Sequence, residues 1–168
     1  ELADAAGEPA VRVALPAALR WQPLEGIDFD AALRRAALLR GAQMMGAMRW
    51  CLERTVAYTQ ERRQFGREIG RFQVVQQMAA EMASAVVASH AMLDAALDQP
   101  DDRLRVAAAR SRLGDAADVV FAHAHQIHGA IGFSHEYVLH FRTRRLMAWR
   151  DQFGSVAHWR RVLADGFA

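Results

Sequence analysis

Apolar residues recur every three or four positions over three long stretches of the chain, which is the spacing of one face of an α-helix. The stretches predict helices at about 29 to 61, 72 to 98 and 101 to 128. The core-facing stripe of the second stretch is predicted to consist of Val75, Met78, Met82, Val86, Leu93 and Leu97. Long helices joined by short connections favour an antiparallel bundle of the four-helix type, so we predict an all-α fold.

Local signals mark where these helices begin and end. Asp28 or Asp30 is placed to cap the first helix, and Pro100 is expected in the first turn of the third. Gly129 follows the third stretch and is expected to be a left-handed C-terminal cap. Two shorter helices are predicted after it. They cover residues 137 to 149 and a segment that ends near 165, and they are separated by Phe153, Gly154 and Ser155.

Residues 1 to 27 follow a different pattern. Val11, Val13 and Leu15 alternate with other residues, which predicts a short strand. Helix formation before residue 28 is interrupted by Pro16, Pro23 and Gly26. Because a strand needs a partner for its backbone, we expect this one to pair with another domain or a neighbouring chain, or else to remain loose. Residues 1 to 27 are therefore predicted to be the end of a β-domain or a linker, and residues 28 to 168 to be the helical domain.

Composition restricts the function classes. Apolar residues make up 52% of the 168 residues, which suffices for a packed core, and the formal net charge is only +2. The 21 basic residues are all arginine but are interleaved with acidic ones, so no nucleic-acid-binding surface is indicated. Cys51 is the single cysteine and is expected in the core. Without a signal-peptide pattern or a membrane-length apolar run, a cytoplasmic location is expected.

The break between the first two predicted helices has its own chemistry. It reads Arg-Arg-Gln-Phe-Gly-Arg-Glu-Ile-Gly-Arg-Phe-Gln and spans residues 62 to 73. Arginine side chains match phosphate oxygens two at a time, and the glycines at 66 and 70 allow close approach of the backbone to a ligand. A solvated charged turn would have a similar composition, and both interpretations stay open on the residues alone.

Several motifs together resemble the C-terminal helical domain of the acyl-CoA dehydrogenase family. They are Arg62-x-Gln64-Phe65-Gly66, Phe72-Gln73, Gln126-x-His128-Gly129-x-x-Gly132-Phe133, Glu136-Tyr137 and Arg144. The resemblance covers about residues 28 to 168, and it implies a helical bundle that acts in α,β-dehydrogenation of acyl-CoA thioesters. It also implies a homo- or hetero-oligomer and an electron acceptor similar to electron-transfer flavoprotein.

The resemblance further implies which residues contact the FAD of a neighbouring subunit. They are Arg62, Gln64, Phe65, Gln73, Gln126, Gly129 and Ala130. Ala130 stands where the family usually has glycine, and its methyl group is expected to alter a close backbone contact. The segment at residues 62 to 73 would then be a dinucleotide contact across a subunit interface.

The catalytic base implied by the resemblance is missing. The family's glutamate takes the α-proton of the thioester, and the spacing from Gln126 places Phe153 at its position. The alternative carboxylate position of some relatives falls on Ala36, and neither side chain accepts a proton. Asp151 is the remaining nearby carboxylate, although its arginine neighbours favour an ion pair instead. The catalytic residue is therefore not assigned.

Two histidines near the end of the third helix suggest another kind of site. His125 and His128 are three positions apart and form a possible metal pair, but no third ligand is evident, so packing is favoured.

The chain is interpreted as the C-terminal domain of an FAD-dependent acyl-CoA dehydrogenase, which is either a catalytic subunit or one that lacks the base and completes the site of another subunit. The alternative is a helical interaction module that has lost the chemistry.

Overall fold

A computed structural model of the chain describes residues 2–4, 6–20, 22 and 25–167, and it confirms the predicted all-α bundle. Its five helices are α1 (Phe29–Glu61), α2 (Gln73–Leu97), α3 (Arg103–His128), α4 (Leu139–Arg150) and α5 (Val156–Gly166). Short 3₁₀ segments cover Ile69–Arg71 and Gly129–Phe133. The predicted helices differ from these bounds by at most two residues, since helix ends coincide with the capping and glycine signals of the sequence.

Three of the helices begin at a side chain that caps backbone amides. Asp28 accepts from the amide of Ala31 at 3.1 Å, and Ser155 accepts from the amide of His158 at 3.2 Å. Asp102 accepts from two amides at the start of α3. The prediction that Pro100 lies in the first turn of α3 is wrong, because Asp102 holds the first turn's amides and the helix begins only after it.

The core is centred on α3, which packs against α1, α2, α4 and α5. The apolar residues that recur at helical spacing along α3 are all buried, namely Val106, Ala109, Leu113, Ala116, Val120 and Ile127. On α2 the predicted stripe holds for Met82, Val86 and Leu93, whereas Leu97 is 46% exposed because it lies at the last position of the helix. The periodic apolar pattern therefore identifies the core of this bundle except at a helix end.

The N-terminal residues form a small hairpin against α4. Strands β1 (Leu2–Ala3) and β2 (Pro9–Ala10) pair in antiparallel fashion. The carboxylate of Glu8 accepts hydrogen bonds from Arg145 Nε at 3.3 Å and Trp149 Nε1 at 3.2 Å. Residues before the bundle are thus attached to it by side-chain hydrogen bonds.

The strand predicted at residues 11 to 15 does not form within the described chain, and its pairing with another domain or chain stays a prediction. Val11, Val13 and Leu15 are exposed and belong to no strand, because β1 and β2 use each other as partners and no neighbouring strand lies beside this segment in the described residues. Pro23 lies outside the described residues. The domain boundary near residue 27 stays a prediction. Within the part of the chain that the structure describes, no helix has both the length and the apolar character needed to cross a membrane.

Candidate functional site

The connection between α1 and α2 is a tight hairpin. Strand β3 (Arg63–Gln64) pairs with β4 (Arg67–Glu68), and Phe65 and Gly66 form the turn with φ of 51° and 79°. Two positive φ values are typical of the type I′ turn that joins strands of natural twist. Glycine adopts this conformation readily, whereas a phenylalanine in it is strained. The ring of Phe65 is nevertheless 91% exposed, so the turn presents an aromatic side chain to the surroundings.

The arginines of this connection are not equivalent. Arg63 and Arg71 both pair with Glu68, at 3.6 Å and 3.0 Å. The guanidinium of Arg67 lies 4.1 Å from the ring centre of Phe72, a cation–π geometry. Among the described residues, the side chain of Arg62 makes no hydrogen bond or ion pair. The sequence suggested several arginines for a ligand, and in the structure the side-chain donors of Arg62 are unused by the described residues.

Arg62 faces a cavity between the hairpin and the end of α3. The cavity has a volume of about 440 Å³. Its lining includes five of the seven predicted cofactor-contact residues, namely Arg62, Gln64, Gln126, Gly129 and Ala130. In the described part of the chain, the side chains of Gln64 and Gln126 also have no hydrogen-bond partner. One cation and two amides therefore meet at a cavity with donors available to a ligand.

The backbone at the end of α3 leaves space for that ligand. Gly129 has φ 64° and ψ −145°, a combination that is essentially restricted to glycine. The positive φ of the predicted cap is confirmed, but ψ lies outside the left-handed helical region because the chain continues into a 3₁₀ turn. A Cβ built on Gly129 would have no neighbour within 4 Å, and Ala130 is exposed beside it.

The other two predicted contact residues lie outside the lining of this cavity. Phe65 is at the hairpin tip, where its ring packs edge-on against Phe72 with the ring centres 6.1 Å apart. Gln73 is the exposed first residue of α2. Their positions make them available to a molecule that extends beyond the cavity or to a second chain, and their cofactor role stays a prediction.

A chain of hydrogen bonds supports one wall of the cavity. His128 Nδ1 is 2.7 Å from the carbonyl oxygen of Ala124 and donates to it, so its Nε2 accepts from the hydroxyl of Tyr137 at 3.1 Å. That hydroxyl accepts in turn from Arg54 Nε at 3.0 Å. Burial, opposed by the Ala124 hydrogen bond and reinforced by Arg54, lowers the pKa of His128. The imidazole is therefore neutral at pH 7, and Tyr58 stacks on it at 4.3 Å.

Arg54 and Tyr137 are the supporting residues that sequence reasoning missed. They are 83 positions apart in the chain and lie on different structural elements. Neither the helical period nor a local motif connects them. Tyr137 did stand in the Glu136-Tyr137 motif, but no role followed from it.

The loop between α4 and α5, residues 151 to 155, contains the position predicted for the catalytic base. Phe153 has φ 57° and is 42% exposed, and Gly154 has φ 107°. The guanidinium of Arg40 lies 5.8 Å from the ring centre of Phe153 and 5.0 Å from that of Trp149. The carbonyl of Gly154 accepts from Trp159 Nε1 at 3.1 Å. The position expected for a carboxylate thus presents an aromatic ring beside a cation.

The two alternative base positions hold an ion-paired carboxylate, Asp151, and an alanine, Ala36. The carboxylate of Asp151 accepts from Nη2 and Nε of Arg150 at 3.1 and 3.3 Å, as the ion-pair interpretation predicts. Ala36 lies one helical turn before Arg40 on the same face of α1, and thus on the side that Phe153 approaches.

Of the four ring nitrogens of His125 and His128, three are hydrogen-bonded within the protein, whereas His125 Nδ1 is buried without a partner among the described residues. His125 Nε2 bonds Thr143 Oγ1 at 2.9 Å, and both nitrogens of His128 are engaged as described. Burial is the main cause that lowers the pKa of His125, and the neighbouring histidines add to it. His125 lines a separate cavity of about 510 Å³ with Phe121 and Phe133, so the pair does not converge on one point. Among the described residues, no group of three potential metal ligands is found.

Cys51 is fully buried in α1. Burial raises the pKa of its thiol to about 12 against an opposing effect of Arg142. The thiol is therefore protonated and has the character of a core residue rather than of a nucleophile.

Comparisons with known proteins agree with this architecture. Residues 29–166 match the family model described as acyl-CoA dehydrogenase, C-terminal domain. The acyl-CoA dehydrogenase IpdE2 of Mycolicibacterium smegmatis is 38% identical over 109 residues, which cover 64% of this chain and 35% of that protein. The chain spans about a third of the length of such relatives.

Two solved structures have a similar fold. In a glutaryl-coenzyme A dehydrogenase in complex with glutaryl-CoA, the match has a TM-score of 0.76 at 32% identity and covers 80% of this chain and 35% of that one. In the ChsE4–ChsE5 complex from Mycobacterium tuberculosis, the TM-score is 0.76 at 25% identity, with 80% of this chain and 38% of that one covered.

Proposed function

This chain belongs to the acyl-CoA dehydrogenase family, and we propose that it supplies the helical C-terminal domain of an FAD-dependent dehydrogenase of acyl-CoA thioesters. One observation carries the proposal. Arg62, Gln64 and Gln126 come from two distant parts of the sequence, and they meet at one cavity with donors that the described protein leaves unused. The family resemblance assigned these residues to FAD independently of their geometry.

The residues around the cavity fit an FAD contact. A guanidinium and side-chain amides are donors suited to pyrophosphate and ribose oxygens, and the bare Cα of Gly129 leaves room for a close approach. Arg62 would hold phosphate oxygens, and Gln64 and Gln126 would hydrogen-bond nearby polar groups. FAD, when bound, accepts the hydride that leaves the β-carbon of the acyl group. This chain's contribution is to bind and orient the cofactor.

We propose further that this subunit contributes no α-proton acceptor of its own. Phe153 and Ala36 occupy the two base positions, and Asp151 pairs with Arg150. A subunit of this kind would complete the FAD site of a different, active subunit. The similarity to a chain in a complex whose name gives two proteins, ChsE4 and ChsE5, supports a hetero-oligomer of this kind.

The proposed partners follow from the same reaction. The substrate is an acyl-CoA bound by the assembled enzyme, and the reoxidising partner is a protein similar to electron-transfer flavoprotein. The helical domain is proposed to form the subunit contact in a cytoplasmic assembly, because the FAD site needs residues of two subunits. Light scattering that gives a strict monomer of the full-length protein at high concentration would contradict this assembly.

The proposal is tested by flavin retention in the full-length protein. Arg62→Ala removes the charge-assisted hydrogen bonds to phosphate, and we expect FAD affinity to fall by about 1 to 3 kcal/mol, or roughly 5- to 150-fold. Helicity should be unchanged, because Arg62 lies at the end of α1 and its side chain is exposed. Arg63→Ala is the matched control, because Arg63 is the next residue but pairs with Glu68. Equal flavin affinity of the wild type and Arg62→Ala would refute the proposal.

A second candidate function is a non-enzymatic helical interaction module. The replacement of a carboxylate by Phe153 is the observation that favours it. The two functions differ in a simple property of the purified full-length protein, namely whether it is yellow and whether an acyl-CoA reduces its flavin in the presence of partner subunits. A colourless protein that takes up no FAD would favour the interaction module.

A further inference from the structure

Arg110 is a buried cation at the centre of the bundle. It lies on α3, its exposed fraction is 1%, and it has no carboxylate within ion-pair distance among the described residues. Its partners are neutral atoms. Nη1 donates to Met44 Sδ at 3.1 Å, and Nη2 donates to the carbonyl oxygens of Arg150 at 3.3 Å and Gln152 at 2.9 Å. A buried charge without an opposite charge is costly, and an apolar side chain of similar size would avoid that cost.

The guanidinium keeps its charge at neutral pH in spite of this environment. Burial lowers the pKa of Arg110 to about 10, and repulsion by Arg40 acts in the same direction, while Asp151 opposes the shift. The hydrogen bonds from Nη2 are therefore charge-assisted, which makes them stronger than bonds from a neutral donor. Both hydrogen bonds from Nη2 go to main-chain carbonyls, one at the end of α4 and one at the start of loop 151–155.

The two carbonyls lie where the backbone most needs an external partner. Arg150 is the last residue of α4, and the final carbonyls of a helix have no partner within the helix. Gln152 directly precedes Phe153, whose φ of 57° is unfavourable for a bulky side chain and persists only where the surroundings hold it. Arg110 thus contacts the chain immediately before its strained residue.

Other contacts hold the rest of the loop. Trp159 Nε1 donates to the carbonyl of Gly154, and Ser155 caps α5. On the outer side, Arg150 Nη1 donates to Asp118 Oδ1 at 2.6 Å. Trp159 and the Ser155 cap thus hold the second half of the loop, and Asp118 holds the side chain of Arg150 at the surface. The first half of the loop is held from the interior by Arg110.

We propose that Arg110 is a positioning residue, whose hydrogen bonds to Arg150 and Gln152 hold loop 151–155 in the conformation that presents the Phe153 ring beside Arg40. The significance of this position for acyl-CoA chemistry rests on the proposed function, because it is the position that the family resemblance assigns to the catalytic carboxylate. The restraint on the loop itself does not depend on flavin or turnover. Loss of the guanidinium leaves two carbonyls without their donor and allows Phe153 to return to negative φ.

The test is the ¹⁹F spectrum of the full-length protein with 4-fluorophenylalanine incorporated at position 153. The wild type should give one narrow resonance, because the loop has one conformation. Arg110→Met fills the space but removes the donors, and it should give several resonances or an exchange-broadened one. Arg110→Lys keeps a cationic donor and should restore a single line. Met44→Leu is the matched control, because it alters the same guanidinium's surroundings without touching a loop carbonyl, and it should keep the single line.

A single, unshifted resonance in Arg110→Met would overturn the proposal and reduce Arg110 to a packing residue. Equal broadening in Met44→Leu and Arg110→Met would do the same, since it would report general loosening of the core. If Arg110→Met does not fold, Arg110→Gln is measured instead, because its amide is polar but uncharged. A single, unshifted resonance in Arg110→Gln would also contradict the proposal. The proposed function fails separately, through unchanged flavin retention in Arg62→Ala, and that result leaves the spectrum of position 153 unaffected.

Discussion

Gly129 shows how one residue's backbone conformation restricts its identity. Its φ and ψ are essentially accessible to glycine alone, although a Cβ would meet no neighbour. We expect Gly129→Ala to lower the free energy of unfolding by about 1 to 3 kcal/mol through backbone strain. Gly46→Ala is the control, and we expect it to change the free energy of unfolding in the opposite direction. Gly46 is exposed within α1, also without a neighbour, so alanine should stabilise the chain by about 0.5 to 1 kcal/mol.

Denaturant titration of both variants measures these changes. The comparison separates backbone strain from steric contact, because neither added methyl group meets another side chain. A stabilised Gly129→Ala variant would contradict the assigned conformation at the end of α3.

Phe153 is the residue on which the proposed lack of a catalytic base depends. In the full-length protein, we expect Phe153→Glu to raise acyl-CoA dehydrogenation by about 100- to 10,000-fold, the usual contribution of a general base. Phe153→Gln is the matched control, because it has nearly the same shape without a base. Asp151→Asn should leave the rate unchanged, since this carboxylate accepts hydrogen bonds from Arg150. The measurement is flavin reduction by acyl-CoA in a stopped-flow instrument.

Two results would contradict this expectation. High activity of the wild type as a pure homo-oligomer would show that a base is already present. Loss of that activity in Asp151→Asn would identify Asp151 as the base.

At the scale of elements, α3 is the helix around which the others pack. Leu113 is fully buried, and its Cδ1 would lie 3.0 Å from a Cβ on Gly41 of α1, so the two helices approach closely there. Leu113→Ala should therefore cost about 2 to 5 kcal/mol of unfolding free energy. The same substitution at Leu39 of α1, which is 70% exposed, should cost less than about 0.5 kcal/mol. Chemical unfolding followed by circular dichroism distinguishes the two, and similar costs at both positions would contradict the assigned core.

At the scale of the whole molecule, buried histidines predict sensitivity to acid. The pKa values of His125 and His128 are lowered in the folded state, chiefly by burial. Below the unfolded value of about 6.5, the unfolded chain binds protons that the folded chain does not, so stability is lost as the pH falls. The loss is at most about 1.4 kcal/mol per pH unit for each histidine, and it ends once the pH is below the folded pKa.

Unfolding free energies at pH 7.5, 6.5 and 5.5 measure this dependence. His128→Gln should reduce the slope, because it removes one of the two imidazoles whose pKa is lowered. The exposed His135 provides the control substitution, His135→Gln. An unfolding free energy that is constant over this range would contradict the neutral state of both buried rings.

The sequence by itself determined the helices and most of the core. Helix ends and core faces depend on neighbours within one or two turns. The cap at Asp28, the break that begins at Arg62 and the apolar spacing of α3 are all local signals. Five of the residues that line the cavity were also predicted to contact FAD, but only because their motifs resemble a family, and that role stays a prediction. Composition alone left the segment at residues 62 to 73 open to a solvated charged turn.

Tertiary structure decided which side chains are available for chemistry. It paired Arg63 and Arg71 with Glu68 and left Arg62 facing a cavity, and it joined Arg54 to Tyr137 across 83 positions. It also buried Arg110 against carbonyls about 40 positions away, and among the described residues it left the segment of Val11 without a strand partner. The physical reason is common to these cases. A hydrogen bond, an ion pair or a strand depends on the distance between groups that are remote in the chain, and only the packing of the helices fixes that distance.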